Sequence, residues 1–152
     1  MQVFDVMTKA SVTETPTESL TQAATRMWTQ QTGSLIVMDG PRLVGIITER
    51  DVMKAVARGL DPATTPITEI MTPGVLTVSP ATPLNEAARH MASRWIRHLP
   101  VVEDGQVIGM VSQRDLVGVL AALTSDPDLS ELASDELVRG RRLARIEQGD
   151  LD

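Results

Sequence analysis

GIITERD (Gly45–Asp51) and GMVSQRD (Gly109–Asp115) share one pattern. In each, a glycine opens an apolar pair, a hydroxyl residue closes it (Thr48 or Ser112), and Arg-Asp follows. An apolar run ending at a hydroxyl residue, with a carboxylate three positions on, reads as a strand entering a helix through a capping-box variant. The spacing therefore predicts strands over Arg42–Thr48 and Gln106–Ser112, and helices over 49–58 and 113–123. The turn formers Asp39-Gly40-Pro41 and Glu103-Asp104-Gly105 stand before those strands. They predict hairpins with Ser34–Met38 and His98–Val102 as the partner strands.

The correspondence extends well beyond the two heptapeptides. Moving the chain along itself by 64 residues superimposes Met7-Thr8 on Met71-Thr72, and Leu20, Ala23, Ala24 and Met27 on Leu84, Ala87, Ala88 and Met91. About a quarter of the positions from 6 to 57 match outright, with no gap. This is an internal duplication. Helices are predicted over residues 18–30 and 84–94 from the apolar spacing. Short strands are predicted over Val12–Glu14 and Val75–Val78, each ended by a turn-forming proline. The expected fold is α/β (α+β): two pseudo-symmetric β-α-β-β-α repeats packed sheet to sheet, since one small sheet cannot bury its apolar face alone. The first repeat is expected over 1–58, a linker over 59–69, the second repeat over 70–123, and an acidic tail over 124–152. Within the tail Leu129–Ile146 suits a helix, either solvated or used in a dimer contact.

Composition narrows the function. There is no cysteine and there are only two histidines, so no disulfide or thiolate site is possible and a transition-metal site is not expected. The net charge is −6, and residues 122–152 alone carry −4. No basic stripe marks a nucleic-acid face. With one Phe, two Trp and no Tyr, there is no row of stacking platforms for single strands. No stretch reaches the ~18 apolar residues of a membrane span, and the first residues do not read as a secretory signal. A cytoplasmic protein is expected.

Thr48 with Asp51, and Ser112 with Asp115, admit two readings. As caps they stabilise each helix by about 1 kcal/mol, which is reason enough for their presence. As a site, a helix N-terminus attracts phosphate, a hydroxyl can donate to it, and a carboxylate one turn away can accept both hydroxyls of a ribose. Arg50 and Arg114 stand beside those carboxylates, and an arginine fork pairs well with phosphate. No base is placed to activate a nucleophile, so no catalytic residue and no enzyme are expected.

The Met-Thr openings, GSLIVMDGPRLVGIITERD (Gly33–Asp51) and IRHLPVVEDGQVIGMVSQRD (Ile96–Asp115), together resemble a tandem pair of CBS domains, the cystathionine-β-synthase type of regulatory module, standing alone. The resemblance covers residues 1–121. It implies clefts between the repeats that hold an adenine nucleotide (AMP, ADP or ATP) as a regulatory ligand, and a homodimer that serves energy sensing. No cofactor is required. By the same resemblance Asp51 and Asp115 accept the ribose, with Thr48 and Ser112 near the phosphate. Met71, Leu76 and Ile96 line the adenine slot of the second repeat, and Met7, Val12 and Thr32 that of the first. Arg97 and His98 contact phosphate. Gly33-Ser34 stand where Arg97-His98 would be, so the second repeat's site is expected to bind more tightly, or alone. The alternative is a ligand-free interaction or dimerisation module, with an unidentified protein partner, in which the hydroxyl-x-x-Asp residues are only caps.

Overall fold

The computed structural model describes residues 1–9 and 13–125. They form two compact units, one of residues 13–75 and one that joins residues 1–9 to 76–125. The chain is mixed α and β, with two sheets and five α-helices among the described residues. Val12 and the tail helix expected over Leu129–Ile146 lie outside the described residues.

The first unit carries strand β1 (Thr13–Glu14), strands β2 (Ser34–Asp39) and β3 (Arg42–Thr48), and strand β4 (Thr72–Pro73). Its sheet order is β1-β2-β3-β4. β1 runs parallel to β2, and the other neighbours are antiparallel. Helix α2 (Leu20–Thr29) starts at Ser19, whose hydroxyl accepts from the Gln22 amide at 3.2 Å while Gln22 reaches back to the Ser19 amide at 2.8 Å. That is the reciprocal box that satisfies two orphan donors. The helix buries Leu20, Ala23 and Met27. These pack with Leu35, Val37 and Ile47 of the sheet and with Ala55 of helix α3 (Glu49–Ala57). A 3₁₀ turn at Ile67–Glu69 leads into β4.

The second unit repeats this plan. Helix α4 (Leu84–Arg94) buries Ala87 and Met91, and strands β5 (His98–Glu103) and β6 (Gln106–Ser112) form its hairpin. Helix α5 (Gln113–Ser125) closes it, and a short helix α1 (Val3–Val6) joins its core. Both hairpins shift register at matching places, between Val37 and Met38 and between Val101 and Val102. The strand expected over Val75–Val78 is reduced to one residue: Val78 alone bridges, in parallel, to Val101. Gly74, at φ +62°, turns the chain just before this segment and the Ser79–Thr82 turn follows it, so little length is left to pair.

The repeats along the chain and the units in space start at different residues. Met71-Thr72 opens the second repeat, yet it pairs with β3 of the first unit, Thr72 opposite Ile46. Met7-Thr8 opens the first repeat, yet Thr8 exchanges two backbone hydrogen bonds with Met110 of β6, at 2.8 and 3.0 Å. Each opening is thus packed with the body of the other repeat.

This crossing explains the glycine that opens each heptapeptide. A Cβ on Gly45 would lie 2.5 Å from Met71 Sδ, and one on Gly109 would lie 2.5 Å from the Thr8 carbonyl oxygen. Neither place has room for a side chain. At Gly45 the nearest obstacle is a flexible thioether, with the Thr72 carbonyl oxygen next at 3.1 Å, whereas at Gly109 the nearest is backbone.

Candidate functional site

The two heptapeptides fold into matching strand-to-helix corners. At the first, Thr48 is extended, and its amide and hydroxyl both donate to Asp51 Oδ2, at 2.8 and 3.0 Å. At the second, the Ser112 amide and hydroxyl donate to Asp115 Oδ2 at 2.7 and 2.8 Å, and the Asp115 amide returns a bond to Ser112 Oγ at 3.3 Å. Asp115 is buried at 6% exposure, and Asp51 is half-buried. The first amide of each helix is also taken. Glu49 donates to the Gly33 carbonyl at 3.1 Å, and Gln113 to the Arg97 carbonyl at 2.8 Å.

Those last bonds tie the residue just before the hairpin's first strand, β2 or β5, to the start of the helix. They bring Thr32 and Gly33 to the Thr48–Asp51 corner, and Ile96, Arg97 and His98 to the Ser112–Asp115 corner. Ser34 pairs with Thr48 and His98 with Ser112, and residues directly opposite on antiparallel strands present their side chains to the same face. Arg50, Arg97 and Arg114 are exposed and His98 is half-buried. Thr32 donates its hydroxyl to the Ser34 carbonyl at 3.1 Å. Ser34 Oγ is buried and has no hydrogen-bond partner.

The adenine-slot residues divide differently from the sequence expectation. Leu76 and Ile96 pack, half-buried, on the second unit's core, which includes Met7 of the first repeat's opening as well as Met91. Met71 packs against the first unit instead. Met7 is 1% exposed and serves as a core residue. The exchange of openings is the reason: each Met-Thr follows the partner strand rather than its own repeat.

Two features escaped the sequence reading. Glu49 holds its carboxylate over the start of β2, where a Cβ on Gly33 would meet Oε1 at 3.1 Å. Glu14 is buried, with Arg26 Nη2 at 3.1 Å from its Oε1. Burial pushes the Glu14 carboxyl up, Arg26 pulls it back, and nearby Glu18 adds to the rise. Glu14, Glu18 and Arg26 line a cavity of about 410 Å³ with Met38 and Gly40, at the hairpin end of β2, away from the corner. Among the described residues no cluster of three or more potential metal ligands occurs, and no helix is long and apolar enough to cross a membrane.

The CBS domain family model matches residues 3–58 and 67–122, and the chain belongs to that family. It is 32% identical to the CBS domain-containing protein YhcV of Bacillus subtilis, over 75% of this chain and 81% of that one. It is 36% identical to an uncharacterized protein of Methanopyrus kandleri, MK0525, over 78% of this chain and 62% of that longer one. Among solved structures, the CBS domain pair of protein MJ0100 in complex with 5′-methylthioadenosine and S-adenosyl-L-methionine superimposes with a TM-score of 0.74 at 31% identity, covering 80% of this chain and 96% of that one. The CBS-domain containing protein ATU1752 from Agrobacterium tumefaciens gives 0.69 at 31%, covering 72% and 88%. The chain is therefore a tandem CBS pair, the class of regulatory module to which these relatives belong.

Proposed function

We propose that this protein is a regulatory module that binds adenosine compounds, AMP, ADP or ATP among them, at its two strand-to-helix corners. The carrying observation is the corner itself, built twice with the same bonds to Asp51 and Asp115. The solved relative that holds two adenosine compounds supports it. In each corner a ribose diol would donate to the carboxylate, which is held in place by the hydroxyl residue before it. Occupancy shifts the protein between conformations by the ligand's difference in affinity for them, and a dimer contact or a partner protein reads out the change. The corner carboxylates serve binding and capping, and the protein is not an enzyme.

Dimerisation belongs to the same proposal. Met53 and Val56 of α3 are each more than half exposed, and so are Val117 and Leu120 of α5, which stand 64 residues further on. Two like apolar stripes in one chain suit a self-complementary two-fold contact with a second copy of the chain.

One observation favours the cap-only reading. Both hydroxyls point their protons at Asp rather than outward, and the first amide of each helix is spent on a strand carbonyl. The melting temperature against millimolar AMP, ADP, ATP, S-adenosylmethionine and GTP separates the two. A ligand at ~100 times its Kd adds about 2.7 kcal/mol. Asp115→Asn then weakens adenosine binding severalfold to about a hundredfold, as expected for a charge-assisted hydrogen bond. No shift with any compound leaves the corners as caps.

A further inference from the structure

Resting on the adenosine reading above, we propose that the two corners sort adenosine compounds by the charge of their 5′ group. The Ser112–Asp115 corner takes a 5′-phosphate. The Thr48–Asp51 corner takes a neutral or positively charged 5′ group, such as a thioether or a sulfonium.

The hydroxyl-to-carboxylate pair is shared by both corners, because the Thr48 amide and hydroxyl donate to Asp51 as those of Ser112 do to Asp115. The difference lies beside it. At the first corner the Glu49 carboxylate lies over Gly33, within 3.1–3.4 Å of where that residue's Cβ would be. At the second, the matching positions are Gln113 and Arg97. An acid over a bare glycine thus replaces an amide beside an arginine. With His98 neutral, residues 32–34 and 48–51 carry a net −1, and residues 96–98 and 112–115 a net +1. A 5′-phosphate is an anion, and placing like charges together in a binding site costs affinity, whereas opposite charges set specificity. The first corner also holds the buried Ser34 hydroxyl, which has no hydrogen-bond partner where the second corner has His98. A hydroxyl both donates and accepts, so it serves a neutral ligand atom as well as an anion, and the difference between the corners rests on the charges.

The experiment is calorimetric titration of the full chain at low ionic strength with AMP, 5′-methylthioadenosine and S-adenosylmethionine. Wild-type protein should bind one AMP per chain tightly, and should still bind 5′-methylthioadenosine when saturated with AMP. Asp115→Asn should lose the tight AMP site and keep 5′-methylthioadenosine and S-adenosylmethionine, and Asp51→Asn should do the reverse. Glu49→Gln leaves both caps in place, so it tests the idea apart from them. It should raise AMP affinity at the first corner by roughly tenfold or more, bringing a second AMP per chain into range. Two equal AMP sites in the wild type, or no change in AMP binding in Glu49→Gln, would overturn the sorting while leaving the adenosine reading standing. Binding of none of the three compounds would overturn both.

Discussion

At Gly45 and Gly109 one missing methyl group decides how closely two chain segments approach. The two sites have the same role but different neighbours, and this separates their tolerance. Gly109→Ala drives a Cβ onto the Thr8 carbonyl oxygen, which is held by its hydrogen-bonded bridge to Met110. Gly45→Ala meets the Met71 sulfur first, and a thioether can swing aside. Both substitutions destabilise, with overpacking of this kind costing about 1–3 kcal/mol, and Gly109→Ala is the costlier. Urea unfolding of the two variants checks the order. The caps at Thr48 and Ser112 were legible in the sequence because a capping box is a local pattern with fixed spacing. The Glu49 carboxylate over Gly33 was not, because only strand pairing brings residues 33 and 49 together. The exchange of Glu49 for Gln113 across the 64-residue offset was its one trace.

Among the elements, β1 carries the least expected group. Glu14 stands where the duplicated chain has Val78, and Arg26 where it has His90, so the fold itself requires neither. Burial raises the Glu14 carboxyl above its ordinary value. The folded state therefore holds this proton at pH values where the unfolded chain has released it. By linkage, stability falls as pH rises from the ordinary glutamate range through the raised value. Glu14→Gln removes that slope. Its melting temperature relative to wild type should climb as pH is raised from about 4 to 7, and a difference that stays flat with pH would count against the buried proton. The long helices and hairpins were readable because their apolar periods and turn residues are intrinsic to each segment. Strand β1 falls within the stretch expected over Val12–Glu14, whereas β4, helix α1 and the 3₁₀ turn were not readable, since their geometry comes from partners far away in sequence.

For the whole molecule, the exposed apolar positions on α3 and α5 carry the assembly prediction. Val56→Glu combined with Leu120→Glu puts like charges into the contact proposed for a second copy. Sedimentation should move from dimer to monomer while the circular dichroism spectrum is retained. A protein that sediments as a monomer before the change refutes the dimer. The duplication was evident from the sequence at once, yet it did not reveal which opening packs with which body. Both openings read Met-Thr, and both target strands carry the same glycine, so the local pattern fits either pairing.

That exchange bears on ancestry. Each unit is completed by a strand or bridge that the chain supplies from the start of the other repeat. On this pattern a lone repeat reaches the same pairing by trading openings with a second copy of itself. Fusing two such copies end to end would turn the trade between molecules into one within a single chain, leaving the seam as the segment between the repeats. The tandem pair then reads as a fossil dimer, and halves cut at that seam should find each other again when mixed.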